Sequence, residues 1–412
     1  MASAGRGLRV LILVENLPSP FDRRVWQEAT TLHAHGYEVS IICPTGRGCE
    51  KHYEYLEGIH IYRYDLPPEA EGARAYAMEY AAAVFYSFRL AWKIHRTHGF
   101  DVIQACNPPD LLFLVGGFFK LAFGKKFVFD HHDLNPELYE AKFGRRDLWY
   151  RMMVLCERWT FRTADISIAT NDSYRRIAIE RGGMDPDKVH VVRSGPRLDQ
   201  LRILPPKPEL KKGRKFLVGY LGVMGKQEGI DYLLRAAAHV IHAMGRTDVH
   251  FGLVGGGTSL DAMKRLAADL GIEDYVTFTG RVPDQDLLEM LNTADLCVNP
   301  DVANEMNDKS TMNKIMEYMA LGKPIVQFDL TEGRVSAGEA SLYAKKNDYE
   351  DMAGKIVALL DDPAKRREMG AFGRNRVRNE LEWAYEAPKL LRAYEALFQD
   401  SQSDRRERFS RR

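Results

Sequence analysis

Cysteine is scarce in this chain of 412 residues: Cys43, Cys49, Cys106, Cys156 and Cys297 are odd in number and show no paired metal spacing. That pattern excludes a zinc ribbon and fits reduced thiols in a cytoplasm, with no disulfide expected. Charge of one sign is also missing. A net charge of +1 argues against a general nucleic-acid binder, although the end, "SDRRERFSRR", is locally basic. Disorder is the plain reading of that tail, and a peripheral grip on the anionic inner face of a membrane is the alternative. No apolar run reaches the roughly 18 clean residues of a membrane span. "LLFLVGGFFKLAFG" and "YAAAVFYSFRLAWKI" are interrupted by lysine or arginine and read as helices packed on a sheet. The opening "MASAGRGLRVLILVEN" passes straight into a strand, unlike a secretory signal. No G-x-x-x-x-G-K-S/T and no H-E-x-x-H is present, so a P-loop phosphotransferase and a zincin each lack their essential part.

What is present is a rhythm. Short apolar runs alternate with helical patterns: "RVLILVEN", "EVSIICP", "IHIYRY", "DVIQAC", "KFVFDHH", "DISIAT" and "VHVVRSG" all precede residue 200. Continuous apolar strands between helices predict an α/β unit with a parallel sheet covered on both faces. Residues 196–213, rich in proline and lysine, have the composition of a linker. A second alternation follows in "KFLVGYLGVM", "VHFGLVGGG", "YVTFTGRV", "DLCVNP" and "PIVQFDL". The expected plan is therefore two doubly wound, Rossmann-like domains, residues 1–200 and 201–383. A helix at 384–399 crosses back to the first domain, and 400–412 is a disordered basic tail. Ligands of such sheets collect at the carboxyl ends of the strands, here in a central cleft that the two sheets face.

One stretch stands out for its charges. In "NDKSTMNKIMEYMALGKPIV", Met312, Ile315, Met316, Met319 and Ala320 recur at the spacing of a buried helical face. Ser310 or Thr311 is placed to cap the helix, Gly322 to end it, and Pro324 to forbid its continuation. Ser310, Lys314 and Glu317 fall opposite the apolar stripe. Lys309 and Lys314 then stand at an end that is already positive, where acidic residues are usual. Either the helix is a solvated surface element, or its missing anion arrives as a ligand held by N–H groups and lysines.

Other candidates are weaker. Gly255, Gly256 and Gly257 allow close backbone approach after a strand, or simply form a tight turn; they do not complete a dinucleotide fingerprint. His131, His132 and Asp133 end a strand at a sheet edge, where they suit metal binding, proton transfer, hydrogen bonds to a polyol, or loop capping. Asp22 is placed to cap a helix whose first turn holds Arg23 and Arg24, read either as anion ligands or as solvated arginines. Asp185, Asp187, Asp284 and Asp286 read as turn and cap residues.

Together, "FDRRVWQEATTLHAHGYEVSIICP", "YLGVMGKQEGIDYLLRAA", "VTFTGRVPDQDLLEMLNTADLCVNP" and "STMNKIMEYMALGKPIVQFDL" resemble glycosyltransferase family 4, from Arg9 to about Gln399. The resemblance implies a GT-B fold and a retaining transferase that moves a sugar from a nucleotide diphosphate, a UDP-sugar by preference, to a glycan or lipid-linked acceptor. It implies no required cofactor, with a divalent metal optional. Arg281 and Val282 match the segment at the base, Ser310, Thr311, Met312 and Lys314 the loop and helix start under the diphosphate, Glu317 the ribose acceptor, and His132 the histidine near the transferred sugar. The sequence departs from the family at three points: "ENLPSPFDRR" lacks paired glycines, "GVMGKQEG" offers only Lys226 as a cation, and Lys309 stands where the first of two glutamates is usual. An epimerase or hydrolase on the same fold, and a non-catalytic nucleotide-sugar or glycan binder, are the competing readings.

Overall fold

The computed structural model describes residues 7–46, 48–66 and 73–410, with the side chains of 73–77 and 399–410 excepted. The chain forms two compact units, Met1–Ser194 with Glu386–Arg412, and Gly195–Tyr385.

In the first unit, β1 (Arg9–Leu13), β2 (Glu38–Pro44), β3 (Tyr53–Leu56), β4 (Ile59–Tyr64), β5 (Val102–Cys106), β6 (Lys126–His131), β7 (Ile166–Ala169) and β8 (Val189–Val191) make one sheet in the order β3-β4-β2-β1-β5-β6-β7-β8. All neighbours pair in parallel except β3, which runs antiparallel to β4 at the edge. Runs such as Val102–Cys106 are buried throughout because helices cover both faces. Aromatic packing of Phe100, Phe119 and Phe127 fills one side of the sheet, and Phe129, Phe161 and Tyr174 fill another cluster.

In the second unit, β9 (Phe216–Leu221), β10 (Val249–Val254), β11 (Val276–Gly280), β12 (Leu296–Asn299), β13 (Ile325–Phe328) and β14 (Ser341–Ala344) are all parallel, in the order β11-β10-β9-β12-β13-β14. Along β9, Phe216, Val218 and Tyr220 enter one core cluster and Leu217 the other, so both faces of this sheet are apolar. The order reverses direction between β9 and β12. At such a switch point two neighbouring loops part to opposite faces and leave a crevice.

Two expectations change. Residues 196–213 are not a free linker: Leu198, Leu201, Leu204 and Leu210 pack against a core cluster of the second unit. The N–H groups of Leu204 and Lys207 donate to Asn292 and Thr293 side chains at 3.1 and 2.8 Å. The prolines of this stretch shape a docked strap. The tail expected to be disordered continues the helix Trp383–Ser410, although its arginine side chains lie outside the described residues. From Glu386 onward this helix belongs to the first unit, where Tyr394 is buried, bonds Gln104 and meets Tyr37 edge-on.

Candidate functional site

Four loops leave the carboxyl edge of the second sheet and are tied together through their backbones. Met224 N–H donates to Gly256 at 3.0 Å, Gly255 N–H to Gly280 at 3.0 Å, and Val302 N–H to Gln227 at 3.1 Å. These bonds join the loops after β9, β10, β11 and β12 into one surface. That surface carries Lys226, Arg281, Val282 and the segment Ser310–Lys314, so the structure gathers residues that are up to 88 positions apart in sequence. Lys226 and Arg281 are exposed, and Val282 is half-buried against the core.

The triple glycine serves this loop-to-loop packing. A Cβ on Gly255, whose φ is +130°, would lie 1.9 Å from the carbonyl oxygen of Gly222. One on Gly257 would come within 2.6 to 2.8 Å of Met224 backbone atoms. Gly257→Ala is therefore expected to cost about 1–3 kcal/mol through overpacking. Urea denaturation reads this, and an unchanged midpoint would show that the two loops give way freely.

The helix in "NDKSTMNKIMEYMALG" starts later than its sequence suggests. A short helix, Glu305–Lys309, comes first, capped by Asn304, whose side chain accepts from Asn307 N–H at 2.8 Å. Lys309 lies in the last turn of that element and bonds Glu305 at 2.6 Å. Its sign is thus the favourable one, and the expectation of a cation at a positive end is corrected for this residue. Neither Ser310 nor Thr311 is the cap; the Ser310 hydroxyl donates back to Met306 at 2.8 Å. The main helix is Asn313–Ala320, with Met312 at the N-cap and no side chain capping its first turn. Its far end is as expected: Gly322 has φ +68° and Pro324 precedes β13. Eight residues are too few to be helical alone. Burial of Ile315, Met316 and Met319 holds it, at roughly 1.5–3 kcal/mol for each.

Lys314 does not project into solvent opposite that stripe. Its side chain is only 10% exposed, and its Nζ donates to Glu228 at 2.7 Å and Asp301 at 2.9 Å. The ammonium also lies 5.1 Å from the centre of the Tyr220 ring. Asp301 stands two residues past the end of β12 and Tyr220 lies in β9, so the ion pair occupies the switch point of the sheet. Burial disfavours charge on both partners. For Lys314 the attraction of Asp301 outweighs burial and raises its pKa well above the ordinary lysine value. For Asp301, burial together with Glu228 outweighs Lys314 and pushes the carboxyl up to about 7. The cation at the helix start is balanced by protein carboxylates. Glu317, one turn further along, is half-buried.

The first unit holds a second polar centre. Asp22 caps the helix Arg23–Ala34 by accepting from Val25 N–H at 3.1 Å. Arg23 is exposed, but Arg24 is buried, which overturns the solvated reading for that residue. Arg24 Nη2 reaches Asp130 at 2.8 Å and Glu28 at 3.1 Å. His132 Nε2 stands 2.6 Å from Asp130 Oδ2. A carboxylate only accepts, so Nε2 carries the hydrogen, and Arg24 Nε, 3.0 Å from the same nitrogen, is a close neighbour and no donor to it. Burial works against ionisation of Asp130, yet Arg24 and His132 prevail and hold it below the usual carboxylate range. Burial would likewise depress His132, and Asp130 reverses this and raises it. The result is an oriented, partly exposed imidazole on a buried carboxylate. Adjacent His131 does something different: it is fully buried among Phe129, Phe161 and Tyr174, and burial and Arg181 lower it to about 3.

Cys106, Asp130 and His132 bring potential metal ligands within 4.8 Å of one another. The donor set does not fit a cation, because the Arg24 guanidinium already neutralises Asp130. Burial and Asp130 also keep the Cys106 thiol protonated.

Residues 22–195 match the profile of the glycosyl transferase 4-like domain, and residues 215–362 match that of the glycosyl transferases group 1. The chain belongs to glycosyltransferase family 4. Among curated relatives, it is similar to D-inositol 3-phosphate glycosyltransferase of Thermomonospora curvata, 29% identical over 263 residues, covering 58% of this chain and 59% of the relative. It also resembles the GDP-mannose-dependent monoacylated alpha-(1-6)-phosphatidylinositol monomannoside mannosyltransferase of Corynebacterium glutamicum, 28% identical over 201 residues, covering 46% and 51%. The chain thus spans little more than half the length of these family 4 relatives. In fold it is similar to sucrose-phosphate synthase of Thermosynechococcus elongatus, with TM-score 0.79 and 19% identity over 95% of this chain and 99% of that one. Anabaena HepE in complex with UDP-glucose superposes with TM-score 0.72 at 16% identity, covering 94% and 100%. The architecture is GT-B.

Proposed function

We propose that this chain transfers a hexose-like sugar, with retention, from a nucleotide diphosphate to a glycan or lipid-linked acceptor. The observation that carries the reading is the start of the helix Asn313–Ala320. Its first turn has no side-chain cap and stands at the carboxyl edge of a sheet, next to Lys226 and Arg281 on tied loops. Helix N–H groups of this kind receive a diphosphate and stabilise its departure, which is the main electrostatic demand of the reaction. Glu317 lies four residues beyond Asn313, the first residue of this helix, roughly 6 Å along its axis, which leaves it to meet the ribose of a diphosphate held at the helix start. A UDP-sugar is the preferred donor, in keeping with the UDP-glucose held by HepE. No metal is required in this reading, since N–H groups and cations take the developing charge. His132, oriented by Asp130, serves the transferred sugar.

A screen of nucleotide sugars by thermal shift and turnover tests this, because a donor at 100 times its dissociation constant adds about 2.7 kcal/mol. Donor must persist until acceptor is added; free or epimerised sugar without acceptor would reject transfer. Glu317→Gln is expected to lower nucleotide affinity by roughly one to two powers of ten, the worth of a charge-assisted hydrogen bond. Equal affinity by calorimetry would remove Glu317 from the site.

A further inference from the structure

The helix Leu148–Thr163 buries Glu157, Thr160 and Phe161 and turns an unusual face outward. Leu148, Met152, Leu155 and Trp159 recur at steps of four, three and four residues, and are 70%, 45%, 53% and 49% exposed. A surface helix ordinarily shows polar residues there. Arg151, Arg158 and Arg162 share the same outward side. Two carboxylates occur between residues 141 and 163, and both are engaged. Asp147 caps the helix and pairs with Arg145 at 3.0 Å, and Glu157 is fully buried on Arg181 at 2.6 Å. The neighbouring helix Phe113–Phe123 extends the apolar surface with exposed Leu114, Phe118 and Leu121. Lys120 of that helix donates to the Thr163 carbonyl at 2.7 Å and joins the two elements.

We infer that this face of the first unit docks on an anionic lipid surface. Contiguous exposed apolar residues mark an interaction site, and their interleaving with arginines selects the occupant. A second copy in a twofold contact would bring arginines against arginines. An anionic bilayer supplies the opposite charge and an apolar layer at the depth a leucine and methionine ridge reaches. Trp149 and Trp159 suit the headgroup boundary, and arginine stems lie along the apolar surface with their heads at phosphate level. The surface uses no residue of the basic tail or of either polar centre, so the inference stands whether or not the chain transfers sugar.

Sedimentation of the full chain with phosphatidylcholine vesicles, with and without phosphatidylglycerol, tests the inference. Binding is expected only to the anionic vesicles and is expected to weaken with salt. Leu155→Glu combined with Trp159→Glu should lower partitioning at least about tenfold. Arg151→Gln combined with Arg158→Gln should lower it about twenty-five-fold, at about fivefold for each arginine. Deleting Arg405–Arg412 should leave it unchanged. These outer positions leave the core intact, and thermal unfolding of each variant confirms that it is folded. Equal binding to neutral vesicles, no binding by the parent, or parent-like binding by both double variants would overturn the assignment. So would loss of binding on tail deletion alone, or a dimer in ultracentrifugation that the glutamates dissolve.

Discussion

Lys314→Met is expected to destabilise the second unit by about 3–5 kcal/mol, the usual cost of stranding the partner of a buried ion pair. Asp301 is 1% exposed and would be left beside Glu228 with no cation. The loss should depend on pH in a defined sense. Asp301 is an acid whose folded pKa, about 7, lies above its ordinary 3.8. Its proton-linked stability is fully present below the unfolded value and is lost as pH rises through about 7. Removing Lys314 pushes that carboxyl further up, so the variant suffers most at pH 8 and recovers part of its deficit at pH 6, where Asp301 binds a proton. Adding Asp301→Asn should restore stability, since no unpaired charge then remains. Chemical denaturation at the two pH values decides it. If the single variant unfolds like the parent at both, Lys314 does not balance a buried charge and is available to a ligand.

This lysine also shows where a sequence stops being informative. A helical wheel places residue 314 opposite the apolar stripe and says nothing about what stands beyond the wheel. Here that is a carboxylate from just past the end of β12, thirteen residues earlier. A cue existed in "DLCVNPD", an acid two residues past an apolar strand, and it was less visible than the paired acids of "DPD" and "DQD", which prove to be turn and helix-start residues. Arg24 is a similar case: Glu28 four residues on hinted at a pair, but Asp130 comes from β6, more than a hundred residues away. The seven apolar runs before residue 200 are all strands, because burial on both faces writes itself into consecutive residues. The edge strand β3 was not legible, since it is only four residues long, Glu54 interrupts it, and Tyr53 and Tyr55 face solvent. β14 is four residues long and lacks a β-branched run. The break at Ser310–Met312 was hidden for another reason: the apolar stripe begins only at Met312, and the polar residues 307–311 before it carry no period that would mark a separate short helix.

His132→Ala is expected to lower turnover about a hundredfold or more while donor affinity is retained, if the imidazole acts on the transferred sugar. The histidine belongs to the first unit and the nucleotide-binding candidates to the second, so binding and turnover should separate. Asp130→Asn probes how the ring is held. With the carboxylate gone, the attraction that raises His132 is lost, and the imidazolium gives up its proton at lower pH than in the parent. The stabilising Asp130–His132 pair is complete below the ordinary histidine pKa of 6.5 and fades as pH rises past the raised value. In Asp130→Asn the limb of the pH–rate profile governed by this histidine should accordingly move toward acid. Some stability is lost too, because Glu28 is then the one carboxylate left against the buried Arg24 guanidinium, whose other bonds go to the Val192 carbonyl and the Ser194 hydroxyl. A merely structural role would reduce the folded fraction and leave the profile of the remaining enzyme where it was. The shift of the limb, measured on protein verified as folded, therefore separates an oriented histidine from a packed one, and an unmoved profile would reject Asp130 as the group that positions it.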